Sequence, residues 1–246
     1  MKPSSGPVVE QIATGYRFSM EPFLLADFVR PQPGARVLEV GTGCGIIPLL
    51  LLTRQLDLSI TAVEIQESLA RQAESNLMEN GKTDRVRLVH ADFVNWSRQN
   101  ADAVFDWVVS NPPYRKRNSG RVNPDREKAI ARHELTLDLA GLVAAGARHL
   151  APDGRMALCY PLERLDEVRR QMEREGLRPV ELKRVAGHPE SPARFFLILA
   201  QKTNAPVPLN ETLFYIYEAD GAYTSGMKSV YESFNYPGRS HRNRQK

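Results

Sequence analysis

Cysteine is nearly missing from this 246-residue chain. Cys44 and Cys159 stand far apart and in no Cys-x-x-Cys pair, which excludes a disulfide scaffold and a cysteine-based structural zinc site. Long apolar runs are lacking too. The Leu-rich stretch Ile46–Leu52 is seven residues long with Pro48 inside it, against the roughly 20 that a bilayer span requires. The opening residues Met1-Lys2-Pro3-Ser4-Ser5-Gly6-Pro7 hold no apolar core of the kind a secretory leader needs, so a reducing, cytoplasmic setting is expected. Neither sign of charge dominates, with 33 Lys and Arg against 29 Asp and Glu. Affinity for a polyanion must therefore come from where charge sits rather than from its total. No internal repeat and no separating linker is present, and 42% hydrophobic content supports one sizeable buried core.

What is present is an alternation of short β-branched runs and amphipathic stretches from about residue 35 to 200, the pattern of βαβ units in a parallel sheet. The expected class is α/β. Strands are expected at 37–40, 59–63, 85–90, 105–110, 155–160, 182–185 and 195–201, seven in all, with an antiparallel strand at the edge and helices on both faces. Helices are expected at 46–54, 66–80, 137–150 and 163–175. Gly81 and Gly176 stand where two of them should stop. Pro48 is tolerable because it falls in a first helical turn. Ahead of the first strand, Phe23-Leu24-Leu25 is an apolar cluster suited to capping one side of a cleft. The chain divides into an N-terminal cap segment (1–34), an α/β domain (35–203) and a C-terminal extension with a basic tail (204–246).

Four motifs sit at successive strand ends. Glu39-Val40-Gly41-Thr42-Gly43-Cys44-Gly45 runs from a strand through alternate glycines into a helix. Such a turn brings backbone close to a ligand and presents helix N-terminal N–H groups, although a plain tight turn would use the same residues. Its Gly-x-Gly-x-Gly spacing, with an acid two residues before the first glycine, differs from the dinucleotide fingerprint and points to S-adenosylmethionine instead of NAD. Glu64 ends the next strand, where a carboxylate can accept from both ribose hydroxyls of an adenosine; the bland alternative is a solvated acid favoured by a helix dipole. Asp92 with Phe93 follows the third strand, an acid for an adenine amino group beside a ring to pack on it.

The fourth motif, Asn111-Pro112-Pro113-Tyr114, follows the strand at 105–110. Two prolines stiffen the chain into an extended turn. An Asn carboxamide oxygen and the Pro112 carbonyl, so held, can both accept from an exocyclic NH₂, and Tyr114 can stack on the planar group carrying it. Directly after it, Arg115, Lys116, Arg117, Arg121, Arg126, Lys128 and Arg132 are interrupted by only two acids. That placement suits a phosphate grip around a pocket mouth. His133 follows Arg132, and a tail with Arg239, Arg242, Arg244 and Lys246 holds no acid at all. A frayed terminus would look the same.

These motifs resemble class I S-adenosylmethionine-dependent methyltransferases of the Asn-Pro-Pro-Tyr type. More closely, Gly15-Tyr16-Arg17-Phe18-Ser19, Phe23-Leu24-Leu25-Ala26-Asp27-Phe28, Gly45-Ile46-Ile47-Pro48, Val63-Glu64-Ile65-Gln66, Ala131-Arg132-His133-Glu134 and the Tyr-rich stretch around Tyr217 and Tyr223 are similar to the bacterial tRNA(Val) adenine-N6-methyltransferase family. The resemblance implies a Rossmann-like fold with S-adenosylmethionine as cofactor and an adenine N6 amino group in an unpaired tRNA loop as acceptor. It implies that Gly41, Thr42, Gly43 and Gly45 hold the methionine part, with Glu39 reaching its amino group, Glu64 and Ile65 at the ribose, and Asp92 and Phe93 at the adenine. Phe18 and Ser19 would close over the cofactor, and Asn111 to Tyr114 would take the target base. Arg115, Lys116, Arg117, Arg121, Arg132, His133, Arg239 and Arg242 would contact RNA. No metal, membrane or obligate protein partner is expected. Two other readings remain open: a protein glutamine N5-methyltransferase, disfavoured by the short segment before the first strand, and a non-catalytic RNA-binding module, disfavoured by the intact motifs. A DNA adenine methyltransferase would carry Asp in place of Asn111 and an added recognition region.

Overall fold

The computed structural model describes residues 6–10, 20–112 and 138–236. Helix α1 (Glu21–Phe28) leads into β1 (Arg36–Val40), α2 (Ile46–Arg54), β2 (Ser59–Glu64), α3 (Glu67–Glu79), β3 (Val86–His90), α4 (Phe93–Gln99) and β4 (Phe105–Ser110). After the Asn-Pro-Pro segment come α5 (Leu139–His149), β5 (Leu150–Pro161), α6 (Leu165–Arg174), β6 (Leu177–Ala186), β7 (Ala193–Lys202), β8 (Asn210–Tyr215) and α7 (Ser225–Glu232). The strands form one sheet in the order β3-β2-β1-β4-β5-β7-β6-β8. β1 to β5 pair in parallel, β7 runs antiparallel between β5 and β6, and β8 lies parallel to β6.

Helices cover both faces, so the central strands are apolar on both sides. Val37, Trp107, Val109, Ala157, Cys159, Leu197 and Leu199 face one core with α1, α2 and α7. Their alternating neighbours Leu38, Val108, Met156, Leu158, Phe196 and Ile198 face the other with α4, α5 and α6. The period-2 alternation of side chains thus feeds two separate cores from one set of strands.

Three expectations change. The sheet has eight strands, not seven, because β8 joins β6 through its backbone while its first four side chains stay exposed. The antiparallel strand β7 is interior and the edge is parallel β8, since β6 and β7 form a hairpin whose second strand inserts next to β5. The Phe23-Leu24-Leu25 cluster is core, exposed by 2% or less, packed against α2 and α7, with the Phe23 ring edge-on to Tyr231 at 5.0 Å. Within β5, Pro152-Asp153-Gly154 forms an irregularity where Asp153 takes a φ of 60° and the pairing with β4 shifts register.

Candidate active site

The four motifs converge because β1, β2, β3 and β4 are neighbours running the same way, so their carboxyl ends open on one edge. Adjacent strands lie about 4.8 Å apart, so groups leaving β1 and β4 are within reach of one small ligand.

The turn after β1 is held from below by β2. The N–H groups of Gly41 and Thr42 donate to Val63 O at 2.8 and 3.2 Å, and that of Gly43 donates to Glu64 Oε2 at 2.8 Å. Gly41 and Gly43 take φ of 74° and 59°, and a Cβ built on either would meet nothing within 4 Å, so their bare Cα atoms border open space. Gly45 also takes a positive φ, of 80°, and has a second reason to be glycine. A Cβ there would press on Ala73 of α3 at 3.3 Å, so it lets α2 start against α3. Pro48 sits in the first turn of α2, where its missing N–H has no helical partner.

Two carboxylates back this turn. Glu39, 1% exposed, accepts from the Thr42 hydroxyl through Oε2, while its Oε1 is buried without a hydrogen-bond partner among the described residues. Burial lifts its carboxyl from the ordinary 4.5 to about 8; the Thr42 bond opposes this rise and the neighbouring charge of Glu64 adds to it. Glu64, also 1% exposed, accepts from Gly43 N and from Gln66 N at 2.8 Å each. It is no solvated acid: it braces the glycine turn and the entry to α3 at once. A buried carboxyl oxygen with no partner among the described residues, beside an open glycine cradle, calls for a hydrogen-bond donor from a ligand, and the amino group of a nucleoside carrying an amino acid fits that demand.

Asp92 is the N-cap of α4, its Oδ1 accepting from Asn95 N at 2.9 Å. Phe93 is 3% exposed and stacks on Trp96 with centroids 6.1 Å apart, so its ring belongs to the core and cannot pack on a ligand. What it can offer is its N–H in the first turn of α4, which has no helical partner. Ile65 is half-buried beside Glu64, and its carbonyl accepts from His90 Nε2 at 3.1 Å.

On β4, Ser110 is fully buried and its hydroxyl donates to Val40 O at 2.7 Å. Two strand ends are thereby bolted together one residue before Asn111, which is half-buried, and Pro112, which is buried. Neither Ser110 nor Asn76, a buried α3 residue whose Nδ2 donates to Cys44 O at 2.9 Å, stood out in the sequence. A polar residue ending the apolar run Trp107-Val108-Val109 is the one available signal for Ser110. Phe18, Ser19, Pro113, Tyr114, Arg115, Lys116, Arg117, Arg121, Arg132, His133, Arg239 and Arg242 lie outside the described residues. Among the described residues no cluster of three or more His, Cys, Asp or Glu could hold a metal, and no helix is long and apolar enough to cross a membrane.

A mostly parallel sheet with a glycine turn after β1, carboxylates ending β1 and β2, and Asn-Pro-Pro after β4 defines a class I methyltransferase fold. Solved structures agree on the fold. A predicted O-methyltransferase, protein Atu636 from Agrobacterium tumefaciens, superposes with a TM-score of 0.70 at 16% identity over 89% of this chain and 99% of that one. TrmN from Thermus thermophilus gives 0.54 at 20% identity, over 74% of this chain and 48% of the other. Residues 21–165 match the methyltransferase small domain family, and the chain belongs to that family and, within it, to the tRNA1(Val) (adenine(37)-N6)-methyltransferases. The Bacteroides fragilis (strain ATCC 25285) protein of that name is 30% identical over 175 residues, 71% of this chain and 73% of the relative. That of Shewanella sediminis is 26% identical over 234 residues, 92% and 95%. For a 32% identical relative from Porphyromonas gingivalis (strain ATCC 33277), the matched stretch spans 65% of each chain.

Proposed function

We propose that this enzyme transfers the methyl group of S-adenosylmethionine to the exocyclic N6 of an adenine in an unpaired loop of tRNA, the anticodon loop of a tRNA1(Val)-type molecule by the names of its relatives. The observation that carries the reading is the junction of β1 and β4. There a glycine cradle with an unpartnered buried carboxylate oxygen adjoins Asn111-Pro112 through the Ser110 to Val40 bond. A donor half and an acceptor half meet at one strand pair.

The glycine turn from Gly41 to Gly45 would hold the methionine part, Glu39 its amino group, Glu64 with Ile65 the ribose, and Asp92 with the Phe93 N–H the adenine. The cofactor supplies a methyl group on a positively charged sulfur. Asn111 Oδ1 and the Pro112 carbonyl accept from the target NH₂, which draws the nitrogen lone pair out of conjugation and aims it, so positioning supplies much of the rate. Tyr114 stacks on the base. No strong base is required, since the methylated nitrogen is cationic and gives up its proton to water. A base in an unpaired loop reaches such a pocket with less unstacking than one in a duplex. Arg115, Lys116 and Arg117 follow the catalytic turn without a gap and would grip flanking phosphates. The test is transfer of labelled methyl to unmodified tRNA, with a release-factor-type protein in parallel. N6-methyladenosine in the tRNA is expected. Label in the protein moves the activity to glutamine, and label in neither refutes the acceptor.

Glu39 supplies a second prediction through its titration. Its folded value of about 8 lies above the ordinary 4.5. A carboxyl raised in this way contributes stability that is full below the unfolded value and is lost as pH rises through the folded one. Thermal unfolding of the ligand-free protein should therefore fall progressively from about pH 5 to about pH 8, and Glu39→Gln should flatten that fall. An ammonium seated on Glu39 favours the ionised form, so binding at about pH 7 should release a proton and affinity should climb between about pH 6 and 7.5. Calorimetry in two buffers of different ionisation enthalpy reads that proton. Its absence in the wild type would remove Glu39 from the amino-group role.

A further inference from the structure

Asparagine is a poor helix former and is seldom buried, yet α3 places Asn76 in its interior at 1% exposure. The reason lies in the segment at residues 6–10. Val8 N donates to Asn80 Oδ1 at 3.0 Å and Asn80 Nδ2 donates to Val8 O at 2.7 Å. One helical turn back, Glu10 N donates to Asn76 Oδ1 at 3.0 Å and Asn76 Nδ2 donates to Glu10 O at 3.2 Å. Gln72 Nε2 adds a bond to the same Glu10 carbonyl at 2.8 Å. Four helical residues rise about 6 Å and two extended residues about 6.6 Å, so carboxamides at i and i+4 match peptide groups at alternate positions of an extended chain. Side-chain amides here take the place of a neighbouring strand. At the far end, Gly6 N donates to Asn235 O at 3.1 Å, and a Cβ on Gly6 would lie 2.6 Å from that oxygen.

Asn76 has one N–H left over, and it is spent on the cofactor turn: Nδ2 donates to Cys44 O at 2.9 Å. The Cys44–Gly45 peptide is thus fixed at both polar atoms, because Gly45 N donates to Thr42 O at 3.0 Å. β2 pins the front of the turn and Asn76 pins its back. Its two rung bonds to Glu10 lock the carboxamide in the one orientation that points an N–H at Cys44. Asn80 makes the same kind of rung and does not touch the turn.

We propose that Asn76 is a positioning residue for the cofactor, fixing the glycine turn through the Cys44 carbonyl while the docked 6–10 segment fixes Asn76. This inference takes from the proposed function only that the turn holds S-adenosylmethionine. The experiment is calorimetric titration of S-adenosylmethionine into the full-length wild type and the Asn76→Ala and Asn80→Ala variants, with thermal unfolding of each. Asn76→Ala should weaken binding at least about tenfold, the scale of one lost hydrogen bond. Asn80→Ala, which breaks the same docking without touching the turn, should stay within about twofold at a similar loss of thermal stability. In turnover, Asn76→Ala should raise KM for S-adenosylmethionine and leave KM for tRNA unchanged. Equal weakening by both variants, or none by either, overturns the proposal. If Asn76→Ala does not fold, Asn76→Asp keeps the acceptor for Glu10 N and turns the donor facing Cys44 into an acceptor; wild-type affinity in that variant overturns it as well. A wild type that fails to bind S-adenosylmethionine sinks the proposed function, whereas a wild type that binds while Asn76→Ala binds equally sinks this inference alone.

Discussion

Replacing Asn111 with alanine should lower the single-turnover methyl-transfer rate by about 10²- to 10³-fold, the usual cost of deleting one preorganised polar group that stabilises a transition state. Affinity for S-adenosylmethionine should stay within about twofold of wild type, because Glu39 on β1, Glu64 on β2 and Asn76 on α3 each hydrogen-bond the glycine turn and stay in place. The asymmetry follows from position. Asn111 leaves β4 one residue after Ser110, whose hydroxyl is bonded to the end of β1, so its carboxamide is carried on a strand end tied to its neighbour. Truncation leaves that anchor intact and removes the acceptor proposed for the target NH₂. Asn111→Asp keeps an acceptor oxygen and should recover part of the rate. Rapid-quench measurement of methyl transfer at saturating cofactor separates the chemical step from binding. A wild-type rate in Asn111→Ala would show that the amine is oriented by something else.

How much of this edge was legible in the sequence depends on how local each group's chemistry is. The glycine turn, Glu64 and Asn111-Pro112 could be read directly, because a strand that stops at glycines, an acid or prolines declares its own end. Residues whose meaning depends on a distant partner could not. Ser110 is defined by a carbonyl 70 positions away and Asn76 by one 32 positions away, and neither spacing has a local signature. Asp92 shows a third case. Its residue type suited both a ligand contact and a helix cap, and the seven-residue helix it caps, α4, was too short to announce a period. The same helix pulls Phe93 into the core, which overturns the reading of its ring as a stacking surface. Strand β8 escaped because Asn210, Glu211 and Thr212 point outward, and an edge strand held by its backbone need not alternate.

Glu64→Ala should have the largest effect on the cofactor, weakening S-adenosylmethionine by about 10²-fold or more, since both ribose hydroxyls proposed to donate to this buried side chain would lose their acceptor together. It should also destabilise the ligand-free protein, by about 2 to 4 kcal/mol, because the N–H groups of Gly43 and Gln66 are left without their acceptor. Those two consequences must be separated, and the isostere does part of it. In Glu64→Gln the amide oxygen can accept from only one of the two backbone donors while its NH₂ faces the other, so most of the structural cost remains with the volume unchanged. The ligand does the rest. Wild type should bind S-adenosylhomocysteine more tightly than its 2′-deoxy analogue by about tenfold, the worth of one charge-assisted bond, and Glu64→Ala should bind the two alike. That difference of differences cancels whatever the substitution does to the fold. If the variant still discriminates between the two ligands as wild type does, Glu64 is a brace for the turn and the ribose is held by another group.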